Sequence, residues 1–353
     1  LSEEVVRFGL QVGLDDAHVR FGSRPTGLWA PECGHRPGLE QAYAEAGVGH
    51  LMLDGPSLQR AGRSTGAGAT IGDSDVVVFG RDLEVTYRAW SPRKGYPGGR
   101  WYRDFHTVDD RSGLRLARVS DRGTPPAHKS PYDPVRARLA LDRDADDFVA
   151  VVRRRLLDLA ERRGGRPGLV VAGYDTELFG HWWHEGPPWL EAVLRRLPAA
   201  GVRVTTLAGA IAAGHVEGRV DPGPGSWGSG KDWRVWDGPA TRDLVDDNAR
   251  LTLRLVKLGR QWGHGRDRVT DQLATTGLLA LASDWAFMVS KDSAAEYARA
   301  RHHGHHGDFH ALADALESGD RRRAERIAAA QHRVDGPFPQ LDSRLLPAAG
   351  RVW

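Results

Sequence analysis

Ala145-Asp-Asp-Phe-Val-Ala-Val-Val-Arg-Arg-Arg-Leu-Leu-Asp-Leu-Ala-Glu-Arg-Arg163 runs into Gly164-Gly165 and then Gly168-Leu-Val-Val-Ala-Gly173. The first part repeats apolar residues at helical spacing between charges, the glycine pair closes the helix, and the last part reads as a buried strand. Helix followed by buried strand is the rhythm of an α/β fold. It continues in a helix over 188–197 and a strand over 202–206, and an earlier copy stands at strand 27–30 and helix 39–46.

After Gly214 the texture changes. Asp221-Pro-Gly-Pro-Gly-Ser-Trp-Gly-Ser-Gly230 favours neither helix nor strand, and the stretches 241–263, 267–290, 292–303 and 308–332 then carry helical spacing. The reading is α/β up to residue 214, a Gly/Pro/Trp-rich linker loop at 215–240, and an all-α helical domain over 241–353. No period of fixed length marks a solenoid or propeller.

Composition narrows the function. The 353 residues are 40% hydrophobic and 27% charged, enough apolar material for one large domain or two ordinary ones. Lys+Arg 49 against Asp+Glu 46 leaves a formal charge of +3 without a basic face, so no nucleic-acid partner is expected. A single cysteine excludes an intrachain disulfide, and no run approaches the roughly 18 apolar residues of a membrane span. A soluble, cytoplasmic protein without a membrane partner is the expectation. Twelve tryptophans beside 43 glycines and 20 prolines predict long loops that carry indole rings.

Two carboxylates stand where strands end. Glu32 follows Leu28-Trp29-Ala30-Pro31, and Asp175 follows Leu169–Gly173. In a parallel α/β barrel the active site lies at that end of the strands. A carboxylate pair about 5 Å apart, one ionised and one protonated, is the equipment of a retaining glycosidase. Taken singly, an acid after a strand is more often a helix cap or a surface charge. The surroundings argue for chemistry: Asp175-Thr-Glu-Leu-Phe-Gly-His-Trp-Trp-His-Glu-Gly186 crowds three acids, two histidines and two tryptophans into one segment. Trp182 and Trp183 cannot both face one core in a regular segment, and rings with polar edges suit sugar faces. One of the two is expected in the core. Glu177, His181 and His184 match no strong zinc spacing.

Trp29-Ala-Pro-Glu32-Cys-Gly-His-Arg-Pro37 and Tyr174-Asp175-Thr-Glu-Leu-Phe-Gly-His-Trp-Trp183 resemble the third and fourth signature regions of glycoside hydrolase family 57, in the form of its glycogen-branching members. Supporting matches run through Trp90-Ser-Pro-Arg-Lys-Gly-Tyr-Pro-Gly98, Ser226-Trp-Gly228 with Trp233 and Trp236, and Ser283-Asp-Trp285. The resemblance implies an incomplete (β/α)7 TIM-like barrel followed by a C-terminal all-α helical domain, since the family's first two motifs and the strands that carry them have no counterpart. It places the nucleophile on Glu32 and the general acid/base on Asp175. It implies transfer of an α-1,4-linked oligoglucan to a 6-hydroxyl of an acceptor glucan, with Trp90, Trp227, Trp236, Trp285, His181 and Trp182 on the glucan and neither metal nor cofactor.

Two departures from the family bear on activity. Residues 44–86 hold no tyrosine to shield the intermediate, and 62–74 reads as a flexible Gly/Ser/Thr loop, which leaves Tyr43, Tyr87 or Tyr96 as substitutes. An α-amylase-type hydrolase therefore stays open as an alternative, and the lack of counterparts to the family's first strands leaves a catalytically inactive glucan-binding protein open as another. Arg301-His-His-Gly-His-His-Gly-Asp-Phe-His310 sets His302, His306 and His310 at i, i+4 and i+8, where a helix could offer them to a transition metal, but its two glycines favour a helix end on the solvent face without a metal. Cys33, beside the nucleophile, has no base in its motif and is expected to pack.

Overall fold

The computed structural model describes residues 2–91, 94–261 and 265–348. In chain order it contains α1 (Glu3–Phe21), β1 (Gly27–Trp29), α2 (Leu39–Glu45), β2 (His50–Asp54), α3 (Gly55–Arg60), β3 (Gly68–Ile71), β4 (Val77–Arg81), α4 (Leu83–Trp90), α5 (Pro134–Arg162), α6 (Gly186–Ala199), α7 (Leu207–Ala212) and β5 (Val216–Val220). Helices alone follow: α8 (Arg242–Gly259), α9 (Arg268–Ala280), α10 (Ser283–Lys291), α11 (Ala295–Glu317), α12 (Arg321–Val334) and α13 (Leu345–Ala348). The fold is α/β with an all-α C-terminal region. The strand order is β1-β2-β4-β3-β5, with β3 antiparallel to β4 (Ala69 opposite Val78) and parallel to β5 (Ile71 opposite Val220).

The chain packs as two compact units. The first takes residues up to Leu51, Gly72–Val76 and those from Pro222 on; the second takes Met52–Ile71 and Val77–Asp221. In the first, Val5, Phe8 and Val12 of α1 share one apolar cluster with Leu251, Leu255, Leu273, Phe309 and Leu312. In the second, Leu141, Phe148 and Val152 of α5 pack with Tyr102, Trp183, Trp189 and Val193.

Helix α5 begins eleven residues before the apolar stripe that announced it. Asp133 caps it, accepting from the backbone N–H groups of Val135 and Arg136 at 3.0 and 3.1 Å, with Pro134 in its first turn. Other elements depart from the sequence reading. Residues 168–173 form no strand: Leu169 donates to Gly66 at 2.9 Å and Val171 accepts from Asp82 at 2.8 Å, isolated bonds in place of a ladder. Residues 202–206 form no strand either; Val204 is exposed and Thr206 instead caps α7.

The expected flexible loop at 62–74 contains β3, a buried central strand. Its glycine answers to packing, since a Cβ at Gly68 would stand 2.8 Å from the Phe79 ring and 2.9 Å from Val77. The stretch 267–290 is two helices, broken where Ala282 is extended (φ −58°, ψ 135°). By length and composition Arg268–Lys291 is apolar enough for a membrane span, contrary to the sequence reading, but Val269, Leu273 and Ala274 belong to the first unit's core. The histidine-rich run lies inside α11, and the break comes at Ser318-Gly319-Asp320, where Asp320 caps α12. Two internal glycines cost about 1 kcal/mol each, which the burial of Phe309, Leu312 and Ala313 outweighs.

Candidate active site

In the first unit, β1 delivers the chain to buried Ala30, and Pro31–Cys33 then make a single tight turn. Glu32 and Cys33 both stand in the left-handed region, with φ of 57° and 49°. Two such residues in sequence cost on the order of 1–3 kcal/mol each and persist only where neighbours impose them. Those neighbours are present. Cys33 Sγ accepts from the Trp29 indole at 3.1 Å, the Glu32 carbonyl accepts from the backbone N–H of Trp227 at 2.9 Å, and His35 and Gly225 exchange two backbone bonds of 2.9 Å each. Cys33 is buried, so it packs as expected.

The strained turn presents the half-buried Glu32 carboxylate to donors from two distant segments. Trp227 Nε1 donates to Oε2 at 2.7 Å, and the Ser283 hydroxyl, on the first residue of α10, donates to Oε1 at 2.8 Å. The Trp29 and Trp227 rings meet edge to face at 5.6 Å. Trp236 lies against Phe287 at 6.4 Å with its indole N–H buried and unpaired. Trp285 is committed to its own helices: its N–H donates to the Leu279 carbonyl at 3.0 Å and its ring packs beside Leu244, Val289 and Ala298.

In the second unit, Gly173 brings the chain down onto β2 and β4; a Cβ there would stand 2.6 Å from Met52. Asp175 follows, half-buried, at the start of a short turn over Thr176–Leu178. Burial foremost, then the negative charge of Glu177, pushes its carboxyl pKa above the ordinary aspartate value, against the opposing pull of a backbone hydrogen bond and Arg81. Arg81 is itself buried and paired with Asp54 at 3.0 Å. An acid in this setting holds its proton to higher pH, as a proton donor to a leaving group requires.

The two adjacent tryptophans split as expected. Trp183 is wholly buried between Tyr102 and Trp189, whereas Trp182 is 41% exposed and donates its N–H to Glu177 Oε1 at 3.1 Å. Trp182 and the exposed His181 flank Phe105 at 4.5 and 5.2 Å, and Arg115 covers the same ring at 4.7 Å. Trp90 ends α4, partly buried on the second unit's core; Pro92 and Arg93 of its motif lie outside the described residues. Of the three candidate tyrosines, Tyr43 and Tyr96 are buried and Tyr87 is 42% exposed.

Sequence reasoning missed Ser283, Trp29, Arg81 and Phe105. Ser283 and Trp29 stood inside quoted motifs, but nothing in their spacing pointed to Glu32. Arg81 and Phe105 carried no signal.

Residues 247–346 match a family model described as "1,4-alpha-glucan branching enzyme, C-terminal". A protein of Mycobacterium tuberculosis described as a "Probable 1,4-alpha-glucan branching enzyme" is 51% identical over 356 residues, 98% of this chain and 67% of its own length. The crystal structure of a glycoside hydrolase family 57 branching enzyme from Thermococcus kodakaraensis superposes with a TM-score of 0.91 at 30% identity, over 98% of this chain and 69% of that one. That of a branching enzyme of the same type from Pyrococcus horikoshii gives 0.89 at 28% identity, over 100% and 69%.

Proposed function

Since the chain belongs to the 1,4-alpha-glucan branching enzymes of glycoside hydrolase family 57, we propose that Glu32 and Asp175 carry its transfer of an α-1,4-glucan segment to a 6-hydroxyl, by double displacement. A Glu32 oxygen attacks the anomeric carbon as the C1–O4 bond breaks, and Asp175 gives its proton to the departing O4. The acceptor's 6-hydroxyl then attacks C1 from the opposite side. Its proton goes to Asp175, and the Glu32 carboxylate leaves. Two inversions retain the α configuration.

The observation that carries this reading is the hold on Glu32: a left-handed turn with Trp227 and Ser283 donating to separate carboxylate oxygens. Fixed donors orient the nucleophile and stabilise the carboxylate that departs in the second step. Trp227 and Trp236 in the first unit, and Trp90, His181 and Trp182 in the second, are the side chains we assign to the glucan, with Trp285 supporting its helix. A reducing, cytoplasmic setting suits the single buried thiol.

Proton NMR of amylose incubated with the chain and with Glu32→Gln tests the reading, following the α-1,6 anomeric signal separately from new reducing ends. New α-1,6 signal that disappears in the variant supports branching through Glu32. Reducing ends without branches move the reaction to hydrolysis, and neither product leaves a glucan-binding protein.

A further inference from the structure

Helices α8 and α11 meet along a polar seam. Asp243 pairs with Arg299, Asn248 faces His302 and His306, and Arg254 reaches His310, Asp314 and Glu317. His302, His305 and His306 are buried, which overturns the solvent-face reading of this run. His305 turns away to Trp285 and Arg301.

Of the row His302, His306 and His310, the first two meet on Asn248 and the third turns to Arg254. Nε2 of His302 and Nε2 of His306 both lie on Oδ1 of Asn248, at 3.2 and 3.0 Å, and His310 Nδ1 is taken up by Arg254 at 2.8 Å. An amide oxygen only accepts, so both Nε2 atoms carry the hydrogen. That leaves Nδ1 of His302 as a lone pair, and it is buried with no partner, on a residue 0% exposed. Such an atom in a native interior asks for an explanation, and a bound ion or water is the usual one. Asp247 and His303 each bring a ligand atom that lies, with one ring nitrogen of His302, within 4.8 Å of the others. Asp247 is half-buried and also holds Arg250 one turn on; His303 is exposed, with its ring 5.7 Å from that of His302.

We propose that Asp247, His302 and His303 form a binding site for one divalent transition metal of the zinc class. Two imidazole nitrogens and a carboxylate oxygen suit that class, with the fourth position left to water. Tetrahedral ligands about 2.0–2.1 Å from zinc stand about 3.3 Å apart, so the site closes by side-chain rotation at Asp247 and at the exposed His303. Asn248 then has the part usual behind a metal-bound histidine, fixing the tautomer through the other ring nitrogen. The metal ties α8 to α11.

The test uses the chain with Zn2+ or Co2+ alone. Calorimetry gives one site per chain, Co2+ shows the visible bands of tetrahedral coordination, and saturating Zn2+ raises the melting temperature. His303→Ala, a change at an exposed position, weakens binding at least tenfold and removes the thermal shift, while His310→Ala leaves both unchanged. Absence of one-to-one binding overturns the site. So does wild-type affinity in His303→Ala, or an equal loss in His310→Ala, which would move the metal to the row of three histidines.

Discussion

Trp227 donates its indole N–H to Oε2 of Glu32 at 2.7 Å across 195 positions of sequence, while its backbone N–H binds the Glu32 carbonyl at 2.9 Å. One residue therefore fixes both the turn and the carboxylate. Trp227→Phe keeps a ring against Trp29 but removes the side-chain donor. A hydrogen bond to a charged group contributes about 1.5–3 kcal/mol, so kcat for α-1,6 transfer falls roughly 10- to 100-fold. Affinity for amylose, measured on the Glu32→Gln background, changes far less, because the ring remains. A loss confined to KM would show that Trp227 serves only as a wall of the groove.

Ser283 reaches the other carboxylate oxygen from the first residue of α10, at 2.8 Å. Ser283→Ala lowers kcat by a similar roughly 10- to 100-fold, and Ser283→Thr, which restores the hydroxyl, recovers most of it. A purely structural role predicts the reverse order, since Ala is the better helix former and Thr crowds the turn. Urea unfolding of the three forms separates the two explanations.

Asp175 owes its raised pKa to burial first and to Glu177 next. Removing the neighbouring charge lowers that pKa, so the acid gives up its proton at lower pH. In Glu177→Gln the alkaline limb of the kcat/KM profile moves toward acid, with the acid limb in place. The amide oxygen of Gln can still accept from Trp182, so the loop is kept. An unmoved alkaline limb would take Asp175 out of the acid role.

Much of this architecture could be read from the residues, and the misses share a cause. The helical stripe of α5, the carboxylates after β1 and before Thr176–Leu178, and the division of labour between Trp182 and Trp183 all rest on local pattern. The misses depend on what lies opposite. Gly68 looked like loop material because the Phe79 ring that excludes a Cβ there is eleven residues away, and Gly304 and Gly307 looked like a helix end because the core of α9 and α12 is invisible from α11. Glu32 was singled out by its place after a strand, but Ser283 was not, since only folding brings the start of α10 to it.

Arg81 offers the sharpest stability prediction. It is 3% exposed, with Nη2 3.0 Å and Nε 3.3 Å from Oδ1 of Asp54, which is wholly buried. Removing one partner of a buried pair strands the other charge in a poor dielectric, at a cost of about 3–5 kcal/mol. Arg81→Met therefore lowers the unfolding free energy by that order, read as an earlier midpoint in urea. Arg81→Met with Asp54→Leu removes both charges together and recovers a large part of the loss, since no stranded carboxylate remains. The same pair of variants reports on the site. Arg81 holds the Asp175 pKa down, so losing its charge moves the alkaline limb of activity to higher pH, opposite to the effect of Glu177→Gln. Shifts of equal sign in the two variants would mean that Asp175 does not set that limb.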